Sequence, residues 1–449
     1  MSRTRARIRR GRLLTGLIAG VALLAPAAPA AQAAPAAPTT AVAADGSFYR
    51  YDGSTPLADL APGTVLKTRT LPYHVVGVPL PLSVVQVLYR TTDQQGRAVA
   101  NVTSVIKPIY GSTSKVVSYQ SFYDSLNPED GPSRSIAGNV SLGGAIANFE
   151  TTLLAPLLLQ GYAVVVADTE GPTADFAAGP EYGQVTLDSL RATFRTPGTG
   201  IAAHAKVGLI GYSGGAIATN WAAVLAPSYA PDVNARLVGA AEGGILVQPS
   251  RNLAYVDGSA LWAGIIPAAI VGVSRAFGID LTPYLSEYGL SVYEKLQKAS
   301  IVNVIGSYPG LTWKKLTKPE YADPASIPVF VDTVNQLNLG ARPSPTVPVL
   351  LAQGAGGELE GTSGSTPGVG KGDGVMVAGD VRSLARQYCA DGVRVTHREY
   401  PLLSHVAAAV PWVAETLVWL GDRFAGRTAP SNCAGIAPGN PLTPLQHAG

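Results

Sequence analysis

Val207-Gly-Leu-Ile-Gly-Tyr-Ser213-Gly-Gly215 is the stretch on which the fold turns. Val207–Tyr212 is apolar on both faces, as a strand buried inside a sheet must be. Ala216–Leu225 (AIATNWAAVL) follows with the composition of a helix. Between them Gly211-Tyr212-Ser213-Gly214-Gly215 fits G-x-S-x-G at a strand-to-helix turn. Such a turn is too tight for a Cβ at its flanks, and it leaves the serine oxygen exposed. The helix N-terminus behind the serine favours developing negative charge. The five-residue pattern alone is weak and could be a Gly-rich turn with an incidental serine. Its setting makes Ser213 the candidate nucleophile.

Working outward, short apolar runs alternate with longer stretches. Val116–Gln120, Tyr162–Ala167, Leu237–Ala241, Val347–Leu351 and Val393–Tyr400 read as further strands. Val381–Tyr388 reads as another helix. Val84–Thr91 and Val99–Lys107 flank Asp93-Gln94-Gln95-Gly96, a hairpin signal. Strand–helix alternation with two-sided apolar strands predicts an α/β fold around a mostly parallel central sheet. The rhythm breaks once, between Gly243 and Pro345, where no strand pattern is evident. That stretch is expected to be an inserted, mostly helical cap. Within it Ala260–Ile279 is long enough to span a membrane, but Pro267, Arg275 and its glycines favour a cap helix pair, buried or facing lipid.

A serine hydroxyl needs a base, and the base needs an orienting carboxylate. In strand-turn-helix hydrolases the chain order is Ser, acid, His, after later strands. His405, in the loop after Val393–Tyr400, is the expected base. His397 lies inside that strand, facing solvent or core; His74 and His204 precede Ser213; His447 is in the tail. The acid is open from position alone. Asp373 precedes the helix leading to Cys389; Glu358 lies nearer the strand end; Glu360 and Asp380 are rivals, the last read as a helix residue pointing outward. Of the two oxyanion donors such chemistry requires, one is the backbone N–H of Gly214. The other belongs to the loop Ser121-Phe-Tyr-Asp124-Ser125, where no HGGG appears.

The first residues are an address. Residues 1–12 hold six arginines and no acid, Leu13–Ala25 is apolar, and Ala31-Gln32-Ala33 supplies an A-x-A site. This predicts a signal peptide over 1–34, a secreted and extracellular chain, and a flexible Ala/Pro/Thr lead-in over 35–48. Export makes the two cysteines, Cys389 and Cys433, a candidate disulfide rather than two buried thiols. The chain has 449 residues, 47% hydrophobic and 14% charged, which excludes a disordered polyelectrolyte. Its net charge of +3 hints at nucleic acid, but removing six of the 33 bases leaves 27 against 30 acids. With that the hint disappears. Scattered histidines and two cysteines give no metal site, and no cofactor is expected.

Taken together these residues resemble the secretory lipase family, over most of the chain from about Tyr49 to Cys433. The resemblance rests on the strand VSYQ with the Tyr123-Asp124-Ser125 turn, on Gly161-Tyr162 through Asp168-Thr-Glu170-Gly171-Pro172, and on GYSGG with WAAVLAPSYAP. It continues in Asp373-Gly-Val-Met, Tyr388-Cys389, Tyr400-Pro401…His405 and Cys433. It implies an α/β-hydrolase fold with an inserted helical cap, or lid, domain holding an acyl tunnel. The core would occupy 49–244 and 346–436, the cap 245–345 and a tail 437–449. It implies Ser213, Asp373 and His405 as the triad, Asp124 and Gly214 at the oxyanion site, and a Cys389–Cys433 bridge. An aspartate can donate there only when protonated or through its backbone. The long Gly/Ser insert Gly354–Gly372 departs from the family's short turn and keeps Glu358 as a rival acid. The expected function is a lipase or esterase without cofactor, monomeric, meeting lipid or ester substrates and touching lipid transiently through the cap. An acyltransferase or serine peptidase, or a non-catalytic binding protein on the same scaffold, are the alternatives.

Overall fold

Nine strands form one sheet in the order β1-β2-β3-β5-β4-β6-β7-β8-β9. They are β1 (Val65–Val75), β2 (Val78–Thr92), β3 (Ala98–Ile106), β4 (Lys115–Gln120), β5 (Ala163–Ala167), β6 (Lys206–Tyr212), β7 (Leu237–Gly243), β8 (Val349–Gly354) and β9 (Val395–Tyr400). The structure, a computed structural model, describes residues 46–448. The signal-peptide expectation for 1–34 and most of the 35–48 lead-in lie outside these residues. The last lead-in residues belong to the body: Phe48 is buried against Leu88 and Val102.

The six strands β5 to β9, with β4 between β5 and β6, are parallel, and β1 to β3 run antiparallel at one side. Both faces are buried, and successive residues point to opposite ones. Val116, Leu209, Ala240 and Leu351 pack with Leu187, Trp221 and Leu384 from helices Gly179–Arg195, Gly214–Tyr229 and Ala378–Ala390. Val117, Ile210, Ala241 and Leu350 pack on the other side with Leu157, Trp419 and Leu420. Hence each central strand reads as an unbroken apolar run. The hairpin forms as expected: Thr92 opposes Ala98, and the Asp93 carboxylate accepts from the N–H groups of Gln95 and Arg97 at 3.0 and 2.8 Å. β1 escaped the sequence reading because it is a half-exposed edge strand, bearing Lys67 and Arg69 and broken in register at Pro72.

The strand order reverses between β5 and β6 on either side of β4. Open α/β sheets bind ligands at the carboxyl ends of strands at such a switch point. The loops after β4 and β6, which carry Asp124 and Ser213, leave the sheet there.

Between β7 and β8 the described chain is helical and has its own apolar cluster, including Trp262, Val271, Trp313 and Phe330. The run 260–279 is not a helix pair. It forms one 13-residue helix, Ile265–Phe277, ended by Gly278 in the left-handed conformation. Pro267 is tolerated because the first-turn N–H groups have no intrahelical partner. Arg275 donates to the carbonyls of Leu126, Thr173 and Ala174, fastening this helix to the core loops, and to that of Gln297 within the insertion. No helix among the described residues is long and apolar enough to cross a membrane. The Cys389–Cys433 disulfide forms, with a Cα–Cα distance of 5.8 Å, and ties the end of helix Ala378–Ala390 to the chain's last turn.

Candidate active site

Ser213 stands between β6 and helix Gly214–Tyr229 with φ 54° and ψ −122°, a backbone conformation that costs a non-glycine residue about 1–3 kcal/mol. Its N–H donates to Gly243 O at 2.8 Å, which helps hold the turn. The glycines around it are required by close approach. A Cβ on Gly215 would lie 2.1 Å from Gln120 O, and one on Gly214 would lie 1.8 Å from Asp124 Oδ1.

His405 begins helix His405–Phe424, and its Nε2 lies 2.8 Å from Ser213 Oγ. Its Nδ1 lies 2.8 Å from Asp373 Oδ2. With Nδ1 protonated and donating to Asp373, Nε2 is left to accept the Ser213 hydroxyl. The Tyr212 hydroxyl donates to His405 O at 2.6 Å, and the His405 N–H donates to Asp373 O at 2.6 Å, so ring and backbone are both fixed. Asp373 is fully buried. Its Oδ1 accepts from the N–H groups of Val375 and Met376, at 3.0 and 2.7 Å, and its Oδ2 also accepts from Gln353 Nε2 at 2.8 Å. Burial pulls the His405 imidazole down, but Asp373 beside it, with Glu360 and Asp124 farther out, outweighs burial and leaves it above its ordinary value.

The rivals for the acid position lie elsewhere. Glu358 is half exposed and faces Lys371 at 3.8 Å. Asp380 is on its helix but buried, not outward; it pairs with Arg251 at 2.6 Å and accepts from Asn440. Glu360 accepts from Trp262 Nε1 at 2.7 Å and from the Val406 N–H at 3.0 Å. His397 is buried in β9, and burial lowers its pKa.

Asp124 has φ 38°, a left-handed position that aspartate tolerates better than most residues. The helical insertion holds it there: the Ile301 N–H donates to Asp124 O at 2.7 Å, and Ser125 forms an isolated bridge with Ser300. Burial pushes the Asp124 carboxyl up to about 8; Glu150 adds to this and His405 opposes it. Sequence reasoning missed the two acids around it. Glu150 accepts from Tyr119, from Ser121 and from the Phe122 N–H, and burial pushes it up to about 7. Glu170 accepts from the Ser125 N–H and the Tyr182 hydroxyl, both at 3.1 Å, and burial then Asp124 push it well up. Glu170 lies in the stretch Asp168–Pro172 that carried the resemblance, but nothing there gave it a role; Glu150 lies in helix Ala145–Leu153, outside every motif.

An apolar cavity of about 130 Å³ reaches Ser213, Gly214 and Asp124. Its walls include Ile217 of the core, Ile266, Val273 and Phe330 of the insertion, and Met376 beside Asp373. Chemically the arrangement can supply a nucleophile, a base with its carboxylate, two groups able to donate toward a developing oxyanion, and an oily slot for one substituent. No group of three or more His, Cys, Asp or Glu among the described residues is placed to hold a metal ion.

A protein-family model described as secretory lipase matches residues 138–432. Lipase 1 of Candida albicans is 30% identical over 393 residues, covering 83% of this chain and 79% of that protein. A Mycobacterium tuberculosis protein named a probable inactive lipase is 30% identical over 374 residues, covering 82% and 79%. Among solved structures, the closed state of Candida antarctica lipase A superposes with a TM-score of 0.75 at 26% identity, covering 88% of this chain and 90% of that one.

Proposed function

Because the chain belongs to the secretory lipase family, a family of carboxylic ester hydrolases, we propose that it is a secreted serine hydrolase that cleaves acyl esters through an acyl-enzyme. Ser213 Oγ attacks the ester carbonyl carbon as its proton passes to His405 Nε2. The collapsing tetrahedral intermediate expels the alcohol, which takes that proton. Water then attacks the acyl carbon, gives a proton to His405, and the carboxylic acid departs as Ser213 regains its hydrogen. Asp373 keeps the imidazole in the working tautomer and stabilises the imidazolium. The Gly214 N–H and a protonated Asp124 donate to the oxyanion. The helical residues 245–345 act as a lid, and the cavity beneath them takes the acyl group.

The observation that carries this reading is the pair of 2.8 Å contacts, Ser213 to His405 and His405 to Asp373, under an apolar roof. Contact with lipid, expected at the cap, is better supported beside the histidine. Leu359, Leu402 and Val406 are 73%, 82% and 48% exposed there, whereas the insertion's exposed large apolar side chains are Tyr288 and Leu290. A fluorophosphonate probe tests the nucleophile. The wild-type chain should be labelled and Ser213→Ala should not; equal labelling of both would remove Ser213 as the nucleophile, and no labelling of the wild type would return the chain to the non-catalytic reading.

A further inference from the structure

Glu360 stands in the Gly/Ser-rich insert Gly354–Gly372 that precedes Asp373. Its two oxygens serve different elements. Oε2 accepts from Trp262 Nε1 at 2.7 Å, in the insertion. Oε1 accepts from the Val406 N–H at 3.0 Å, in the first turn of the helix that His405 begins. A carboxylate is favoured at a helix N-terminus, where backbone N–H groups have no intrahelical partner. Trp262 is buried, and its indole stands edge-on to the His405 imidazole, with centroids 5.4 Å apart and planes at 81°. A second bond joins the same segments, from the Ala260 N–H to Gly361 O at 3.1 Å. Gly374, next to Asp373, has φ 125°, and a Cβ there would lie 2.7 Å from Glu360 Oε2 and 3.1 Å from Trp262 Nε1. A side chain at position 374 would crowd this contact.

We infer that Glu360 is a positioning residue, whose single carboxylate bridges Trp262 to the His405 helix, holds the imidazole toward Ser213 and adds negative charge beside it. The inference rests on His405 being the base. The titratable groups facing His405 are Asp373 and Glu360, both from the connection between β8 and helix Ala378–Ala390, and Asp124 from the loop after β4, and the Tyr212 phenol lies tilted against it at 5.3 Å. Among these the Glu360 charge helps raise the imidazole. The His405 carbonyl is held by Tyr212 and its N–H by Asp373, and the imidazole lies between the Tyr212 ring at 5.3 Å and the Trp262 indole at 5.4 Å, the latter held by Glu360.

Glu360→Gln tests this. A glutamine has one acceptor oxygen and cannot serve both N–H groups. Its kcat on a short p-nitrophenyl ester should fall about tenfold, as a slightly misplaced base would cause. The acid limb of kcat/KM should move about half a pH unit lower, because a negative charge near the imidazole is gone. Trp262→Phe keeps the charge and ring but removes the donor, so it should lower kcat and leave the limb in place. Glu360→Asp should restore the limb but not kcat. Melting curves confirm folding; should Glu360→Gln fail to fold, the kcat of Trp262→Phe decides. An unmoved limb in folded Glu360→Gln, or unchanged kcat in Trp262→Phe, overturns the inference. His405→Ala runs alongside: if it turns over ester at the wild-type rate, the base assignment fails instead.

Discussion

Asp124→Asn should leave the enzyme active and remove its alkaline limb. Asp124 lies against the Gly214 backbone at the mouth of the apolar cavity, and burial holds its carboxyl up to about 8. Only the protonated acid can donate to an oxyanion; the carboxylate would repel it. With a value near 8, about nine-tenths of the groups are protonated at pH 7, half at pH 8 and about one-tenth at pH 9. The wild-type rate should therefore fall about tenfold for each unit well above pH 8. Asparagine has the shape of the neutral acid and an N–H donor that does not titrate. Its rate at pH 7 should stay within about tenfold of wild type and remain flat to pH 9. Asp124→Ala removes the donor, and loss of one oxyanion donor costs about 10²–10³ in kcat. The assay is initial-rate hydrolysis of a short-chain ester in a pH-stat from pH 5 to 10, with melting curves at each pH. A full rate in Asp124→Ala would show that the side chain donates nothing and that a backbone N–H does the work. An alkaline limb near 8 that persists in Asp124→Asn would show that another group titrates there.

Asp373→Asn should cost about 10⁴ in kcat by favouring the wrong imidazole tautomer, while Glu358→Gln should be nearly silent on steady-state kinetics; the reverse result would transfer the acid role. Stability should fall as pH rises, because burial pushes Glu242 up to about 8, above its unfolded value, so the native state binds more protons than the unfolded chain across that window. Each such group contributes about 1.4 kcal/mol per pH unit there, and Glu242→Gln should flatten the decline in melting temperature between pH 5 and 8; an unchanged slope would refute it. Ala269→Trp fills the apolar cavity and should lower turnover of long-chain relative to acetyl p-nitrophenyl esters at least about tenfold, a ratio that would stay constant if the acyl group lies elsewhere. Replacing both cysteines by serine should cost about 4 kcal/mol in denaturant unfolding, from opening a loop with a sequence separation of 44, and no change would mean the unfolded chain gains nothing from the cut.

The central strands were legible because both their faces are buried, so Ala163–Ala167 and Lys206–Tyr212 are apolar at nearly every position. Ser213 was legible for a related reason: the turn tolerates almost nothing but small residues around it, and that restriction is written locally. His405 followed from its place just beyond the last strand. β1 was not legible, since an edge strand half in water needs no apolar run. Neither was the single helix Ile265–Phe277, because an apolar run records burial and not where a helix starts.

The sequence by itself determined the central strands, the turn that carries Ser213, the place of His405 beyond the last strand and the class of chemistry, all properties of short segments under strong steric or solvation limits. That Asp373 and not Glu358 stands against His405 was decided by tertiary structure. Its loop folds back so that Val375, Met376 and Gln353 donate to one carboxylate and aim it at His405, while Glu358 stays in solvent. The placement of Asp124 was decided there too, because Ile301 and Ser300, over 170 residues away in the chain, hold its backbone and that of Ser125, and burial there pushes its carboxyl up. So was the bridge made by Glu360, which joins segments separated by 98 and 46 residues. Such pairings depend on the distance and dielectric between groups remote in sequence, and no local pattern encodes either.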